Sequence, residues 1–270
     1  MRKIVHISDL HFGAADAHAA ERLAESIDEI GPDLVVVSGD LTQRARRSQF
    51  REARAFLDRL KFPQLIVPGN HDVPLYNVVG RFANPLEHYR RYITSDLEPF
   101  YSDEELAVAG VNTARSLTIK SGRISESQVE MVSSRMLTAG ENVLKVVVTH
   151  HPFDVAEGED EGSIVRRAHI AMLAIASCRA DVFLSGHMHV SHVGHSARRY
   201  ELPGGYSALI VQAGTAISSR SRGEANSFNL LEFENPTLAI RRFKYSSSTT
   251  SFDPAHIEHF IRNDRGWTAV

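Results

Sequence analysis

The sequence predicts an α/β fold on three observations. Short apolar runs at 4–8, 33–38 and 65–67 alternate with helix-periodic stretches at 17–30 and 49–60, a β-α-β-α-β order that argues for a parallel sheet wrapped by helices. The run Leu34-Val35-Val36-Val37 is continuous rather than alternating, as a strand buried on both faces requires. Strand-like runs at 209–212, 227–233 and 238–243 close the chain and predict a second, largely antiparallel or mixed sheet packed on the first. With 270 residues, 43% of them hydrophobic and 23% charged, the chain can bury one large core, and no linker-like stretch argues for two domains. A single domain over residues 1–270 is expected.

Taken in order, Ile4 to Ser8 is a compact strand that runs directly into Asp9-Leu10-His11. Side chains alternate along a strand, so Asp9 and His11 share a face while Leu10 points to the core, a spacing that suits two ligands of one ion. The helix at 17–30 places Leu23, Ile27 and Ile30 on one face and stops at Gly31-Pro32. The second strand ends in Gly39-Asp40. The helix at 49–60 buries Phe50, Ala53, Phe56, Leu57 and Leu60 and leads to Leu65-Ile66-Val67, after which Pro68-Gly69 stops the strand and Asn70-His71-Asp72 follows.

Beyond Val73 the pattern breaks. Residues 74–105 mix Phe82, Tyr89, Tyr92 and Phe100 with Arg81, Arg90 and Arg91 in one or two short helices, and read either as a cap over the site or as a surface pair closing the core edge. Runs at 106–112 and 116–119 suggest short strands. Ser125, with Gln128 three residues on, opens a helix to Leu137 by the capping-box pattern. Leu144 to Val148 is a further buried strand ending in Thr149-His150-His151-Pro152. A helix at 170–176 and a strand at 182–184 lead to Ser185-Gly186-His187-Met188-His189, and Ser246 to Ser251 reads as a loop.

Charge and composition leave several functions without support. A net charge of −3 leaves no electrostatic footprint for duplex nucleic acid or a membrane surface. No run approaches the ~18 apolar residues of a membrane span, and the first residues enter a strand without a signal-peptide pattern. The single cysteine, Cys178, cannot form an internal disulfide and reads as a buried small hydrophobe. The expected location is the cytoplasm. The aromatic-rich 74–105 segment faces either substrate or a second subunit, which leaves a homo-oligomer open.

Five strand ends carry Asp9 and His11, Asp40, Asn70 and His71, His150, and His187 and His189. In a parallel sheet such ends converge on one edge. Imidazole nitrogens with carboxylate and amide oxygens form a mixed N/O set suited to Zn, Mn or Fe, and so many candidate ligands exceed what one ion needs and are about right for two ions sharing a carboxylate.

Asp-x-His, Gly-Asp, Gly-Asn-His-Asp, a strand-end His and Gly-His-x-His, in this order over residues 9 to 189, resemble the calcineurin-like metallophosphoesterase superfamily, and most of all its bacterial class III cyclic-nucleotide phosphodiesterases. The resemblance implies a four-layer α/β/β/α sandwich, the metallophosphoesterase fold, with two central mixed sheets and helices outside both. It also implies roles. Asp9, His11 and His189 bind one divalent transition-metal ion and Asn70, His150 and His187 a second, with Asp40 bridging; His151 is the alternative to His150. His71 contacts the phosphate and protonates the leaving oxygen, and Asp72 orients it. Two ions roughly 3.5 to 4 Å apart lower the pKa of a shared water and clamp the phosphoryl oxygens during in-line attack, so that hydroxide is the nucleophile.

The implied activity is hydrolysis of a small soluble phosphodiester, with 3′,5′-cyclic nucleotides such as cyclic AMP leading. Glycerophosphodiester and phosphomonoester hydrolysis stay open. A lipid-precursor pyrophosphatase is disfavoured because such relatives carry Gly-Asn-Arg-Asp where this chain has His71. A non-catalytic scaffold would show eroded ligands, and none is eroded. Asn112, Arg115, His192, Arg220 and Arg222 are candidate substrate contacts, the arginines because guanidinium forks match phosphate oxygens; a structural turn (Asn112, Arg115), a surface histidine and an exposed basic loop are the competing readings.

Overall fold

The computed structural model describes residues 1–75, 78–118, 120–219 and 223–270. β1 (Arg2–Ile7), β2 (Leu34–Val37) and β3 (Gln64–Ile66) lie parallel and adjacent, joined by α1 (Ala17–Ile30) and α2 (Arg47–Arg59). α1 starts where the Asp16 side chain accepts from the backbone N–H of His18 and Ala19, and stops at Gly31, whose φ of 60° is left-handed.

After α3 (Val78–Ala83) and α4 (Glu87–Tyr92) the chain builds a second sheet from β4 (Phe100–Ser102), β5 (Leu106–Gly110), β6 (Leu144–Val148), β7 (Val182–Ser185), β8 (His192–His195) and β9 (Leu209–Gln212). Its order is β4-β5-β6-β7-β9-β8, parallel in the middle with an antiparallel strand at each edge. α5 (Glu126–Leu137), capped by Ser125 and Gln128 as the sequence predicts, and α6 (Ala168–Ser177) cover it. The tail then forms β10 (Ser227–Glu234), β11 (Thr237–Ser246), β12 (Ser251–Asn263) and β13 (Gly266–Ala269), an antiparallel meander that pairs with β1 and gives the first sheet the order β13-β12-β11-β10-β1-β2-β3.

Both sheets are therefore mixed, and strand alternation builds the layers. Leu34 and Val36 of β2 face Leu144, Val146 and Val148 of β6 between the sheets, with Ile4, Leu184 and Val211. Val35 and Val37 face outward to Leu23 and Ile27 of α1 and Phe50 and Leu57 of α2. Val147 and Phe183 face outward to Val132 of α5 and Met172 and Ile175 of α6. This is the expected four-layer α/β/β/α sandwich, with one correction: the tail does not make the second sheet. Its antiparallel strands extend the first, because β10 docks beside β1, and the second sheet comes from residues 100–212.

Two local expectations also change. Residues 116–118 are a turn rather than a strand, held by Arg81, which donates to the carbonyls of Ser116 and Thr118 (2.7 Å each); Ile119 lies outside the described residues. Only part of 74–105 stands apart from the core. Tyr89 on α4 is fully buried and donates to the Ile66 carbonyl (3.0 Å), and β4 is an edge strand. Among the described residues no helix is long and apolar enough to cross a membrane.

Candidate metal centre

The carboxyl ends of β1, β2, β3, β6 and β7 meet. Asp9 N–H donates to Gly39 O (3.1 Å), His11 N–H to Asp40 O (3.0 Å) and Gly186 N–H to His150 O (3.1 Å), so the loops are laced together before any side chain is counted. Glycine permits the approach. A Cβ on Gly69 would lie 2.3 Å from Asp40 N, and one on Gly186 1.8 Å from Ser8 Oγ.

The loops turn sharply at the functional residues themselves. Asp9 (φ 54°), His11 (49°), Asp40 (53°), His187 (72°) and His189 (62°) all adopt left-handed backbone, which costs a non-glycine residue energy and concentrates where geometry is imposed by function.

Two groups of ligand atoms result. In the first, atoms of Asp9, His11, Asp40 and His189 lie within 4.8 Å of one another, and in the second so do those of His150, His151 and His187. Asp9 Oδ1 stands 3.5 Å from His11 Nε2 and 3.3 Å from His189 Nε2. Asn70 Oδ1 is 3.0 Å from both His150 Nε2 and His187 Nδ1. Asp40 sits between, with Oδ1 3.4 Å from His150 Nε2 and Oδ2 3.9 Å from His11 Nε2.

The surrounding bonds orient these groups. His150 Nδ1 donates to the Ser38 carbonyl (2.8 Å), which turns Nε2 inward. Asp9 Oδ2 accepts from Ser8 Oγ (2.6 Å) and His187 N (3.0 Å), while the buried Oδ1 has no hydrogen bond. A bare, buried carboxylate oxygen among imidazole nitrogens fits a cation better than any protein donor present, so this donor set suits a divalent transition metal. His151 is also buried, but its Nδ1 pairs with Thr113 Oγ1 (2.8 Å) and its ring packs on that of His187, centroids 4.6 Å apart. His150 is the better placed of the doublet.

With protons as the only counter-cations, the imidazoles balance the carboxylates. Burial alone would raise the Asp40 carboxyl, but His150, His71 and His11 outweigh it and hold it far below the usual range. Asp9 follows the same balance, with His189 and His11 opposing burial. Burial is the largest single influence on His150 and lowers it, but Asp40, Asp9 and the Ser38 carbonyl together outweigh burial and raise it to about 9, whereas burial and the neighbouring His150 push His187 down to about 3.

His71 is a third exposed (34%), its Nε2 4.0 Å from Asp40 Oδ2. Its Nδ1 donates to the Gln43 carbonyl (2.9 Å), and its backbone N–H donates to Asp40 Oδ1 (2.8 Å). The role expected of Asp72 is thereby corrected. Its carboxylate accepts from the N–H groups of Leu41 (3.2 Å), Thr42 (2.9 Å) and Gly69 (3.0 Å) and from Thr42 Oγ1 (3.0 Å), so it staples two loops rather than orienting the imidazole. Burial and the nearby Asp40 push its carboxyl up to about 6 against those donors.

The weaker candidates separate from this cluster. Asn112 Oδ1 accepts from Ala114 N (3.0 Å), and Arg115 donates to the carbonyls of Asn112 and Ala114 (2.8 Å each) and to Gln128 Oε1 (2.7 Å), so both are spent on a turn. His192 lies on the edge strand β8, half-buried, and burial followed by the charge of Arg198 lowers its pKa. Arg220 and Arg222 lie outside the described residues. Sequence reasoning passed over Ser8, Ser38 and Gln43. Ser8 and Ser38 directly precede the first two motifs, whereas a backbone carbonyl such as that of Gln43 has no residue signature.

The Calcineurin-like phosphoesterase family model matches residues 2–191. The chain is 37% identical over 82 residues to the glycerophosphodiester phosphodiesterase GpdQ of Enterobacter lignolyticus, covering 26% of this chain and 29% of that protein. It is 24% identical over 160 residues to the "Probable cyclic nucleotide phosphodiesterase syc0937_d" of a Synechococcus species, covering 55% and 57%. These matches span less than two thirds of either relative. The purple acid phosphatase PPD1 of yellow lupin superposes with a TM-score of 0.67 at 12% identity, over 95% of this chain and 53% of that one, a likeness of fold. The model match takes in all five strand-end motifs and 190 of the 270 residues, and the chain belongs to the calcineurin-like phosphoesterase family.

Proposed function

We propose that this protein is a metal-dependent phosphodiesterase with a two-ion site, acting on a small soluble phosphodiester. The observation that carries this reading is Asp40, buried between the two ligand groups with one oxygen toward each. Asp9, His11 and His189 would hold one ion and Asn70, His150 and His187 the other, with Asp40 available to both; His71 completes the site, and Asp72 holds together the loops that carry Asp40 and His71. Bound there, two divalent ions supply Lewis acidity, acidifying a water and withdrawing charge from the phosphoryl oxygens.

The protein's own groups do the rest. Asp40 would serve both ions and, by accepting from His71 N–H, holds the His71 backbone beside the ligand groups. With Nδ1 committed to the Gln43 carbonyl, His71 donates through Nε2, the nitrogen facing the open side, to the leaving oxygen. No serine or cysteine nucleophile is required. Residues 1–270 act as one domain, and the burial of Leu86 and Tyr89 in its core ties the segment expected as a cap to the body of the protein.

Among substrates, 3′,5′-cyclic nucleotides remain the leading reading. Glycerophosphodiesters are the second, favoured by the 37% identity to GpdQ over 82 residues. The deciding assay is hydrolysis of bis(p-nitrophenyl) phosphate against p-nitrophenyl phosphate, with metal-stripped protein reloaded with Mn, Fe or Zn, beside Asp40→Ala. Diester activity that needs both metal and Asp40 is expected; cyclic AMP, cyclic GMP and glycerophosphodiesters then rank the substrates. Activity that survives chelation or the Asp40→Ala change would sink the reading.

A further inference from the structure

Ser8 lies outside every ligand assignment, yet its side chain meets the site at its most constrained point. Its hydroxyl is fully buried and donates to Asp9 Oδ2 at 2.6 Å, with the Ser38 carbonyl a more distant 3.3 Å. The second donor to the same oxygen is His187 N, at 3.0 Å. Two donors therefore occupy Oδ2, while Oδ1, buried and without a hydrogen bond, stays directed at His11 and His189.

A carboxylate rotates readily about its last torsion, and only its hydrogen bonds decide which oxygen faces an ion. The knot has no slack. A Cβ on Gly186 would lie 1.8 Å from Ser8 Oγ and 2.5 Å from Asp9 Oδ2, and the Ser8 carbonyl accepts from Ala216 N (3.0 Å), which fixes the backbone from the other side.

We propose that Ser8 is a positioning residue for the first ion: its hydroxyl locks the Asp9 carboxylate so that Oδ1 is presented to the ion held with His11 and His189. This rests on the two-ion reading above. Ser8 touches neither substrate nor metal, and the second ion depends on it less, since the Ser38 carbonyl that orients His150 lies 3.3 Å from the Ser8 hydroxyl against 2.6 Å for Asp9 Oδ2.

The test is calorimetric titration of metal-stripped Ser8→Ala and wild-type protein with Mn(II), followed by electron paramagnetic resonance of each at two equivalents. The expected result is one of two binding events weakened about 10- to 100-fold, and a spin-coupled dinuclear signal replaced by a mononuclear one that couples again in excess Mn(II). Activity at saturating metal then returns with KM unchanged. Ser8→Cys, which keeps a weaker donor of similar size, should fall between; it also serves as the test variant if the alanine protein does not fold. Unchanged affinity for both ions, or equal loss of both, overturns the proposal. Failure of the wild-type protein to bind two ions would instead overturn the reading on which it rests.

Discussion

His71 is the residue whose loss separates protonation from metal binding. It stands 4.0 Å from Asp40 and is held by its backbone N–H on Asp40, its carbonyl on Thr42 Oγ1 (3.2 Å) and its Nδ1 on the Gln43 carbonyl. His71→Ala should therefore lower kcat by about 10²- to 10⁴-fold with metal stoichiometry unchanged; loss of an ion in that variant would reassign His71 as a ligand. A second histidine gives a pH signature. His6 is fully buried with Nε2 on Ser38 Oγ (2.9 Å), and burial lowers it from 6.5 to about 3. The folded state then binds its proton more weakly than the unfolded state does. This stabilisation is complete above the unfolded value and is lost as pH falls from about 6.5 toward 3. His6→Gln should flatten the pH dependence of urea unfolding of metal-free protein in that window, by up to about 1.4 kcal/mol per pH unit; parallel profiles would contradict it. At this scale the convergence of Asp9, His11, Asp40, His150, His187 and His189 was legible because strand-end spacing exposes it. The groups that aim them were not, since Gln43 and Ser38 act on histidines through carbonyls that every residue possesses.

At the scale of elements, what the sequence shows best is what physics enforces locally. The caps Asp16 and Ser125 and the continuous apolar runs of β2 and β6 fall where periodicity places them. β12 was invisible. Its residues Asp253 to Ile257 are exposed and carry no alternation, and its strand form comes from pairing with β11, a non-local contact. The loops between elements are more demanding than the elements. Gly69→Ala would drive a Cβ to 2.3 Å from the Asp40 backbone nitrogen, where only backbone movement can relieve it. It should lower both the melting temperature and metal affinity, whereas Gly140→Ala, with its nearest neighbour at 3.7 Å, should do neither. Equal behaviour of the two variants would refute the close-approach argument.

For the whole molecule, the sheet order could not be read from sequence, because which sheet the tail joins depends on β10 docking beside β1, more than 200 residues away. The sheets are tied together at the end opposite the metal centre. Arg262 of β12 pairs with Asp181, just ahead of β7, at 2.9 Å, and Trp267 Nε1 donates to the same carboxylate at 3.0 Å. Asp181→Ala takes the carboxylate from Arg262, which keeps the Glu141 and Val143 carbonyls (3.0 and 3.2 Å), and should cost up to about 3–5 kcal/mol, read by the fluorescence of Trp267, the single tryptophan. Metal at about 100 times its Kd should add about 2.7 kcal/mol to stability, so chelation lowers the melting temperature in wild type but not in Asp40→Ala. The five left-handed ligand positions carry a consequence for engineering. Glycine ordinarily destabilises a protein relative to alanine by roughly 0.5–1 kcal/mol, but a residue at φ 62°, as His189 is, reverses that order. In metal-free protein His189→Gly should melt above His189→Ala. Selection for heat resistance alone would then drift toward glycine at the ligand positions, yielding a hardier scaffold that no longer catalyses.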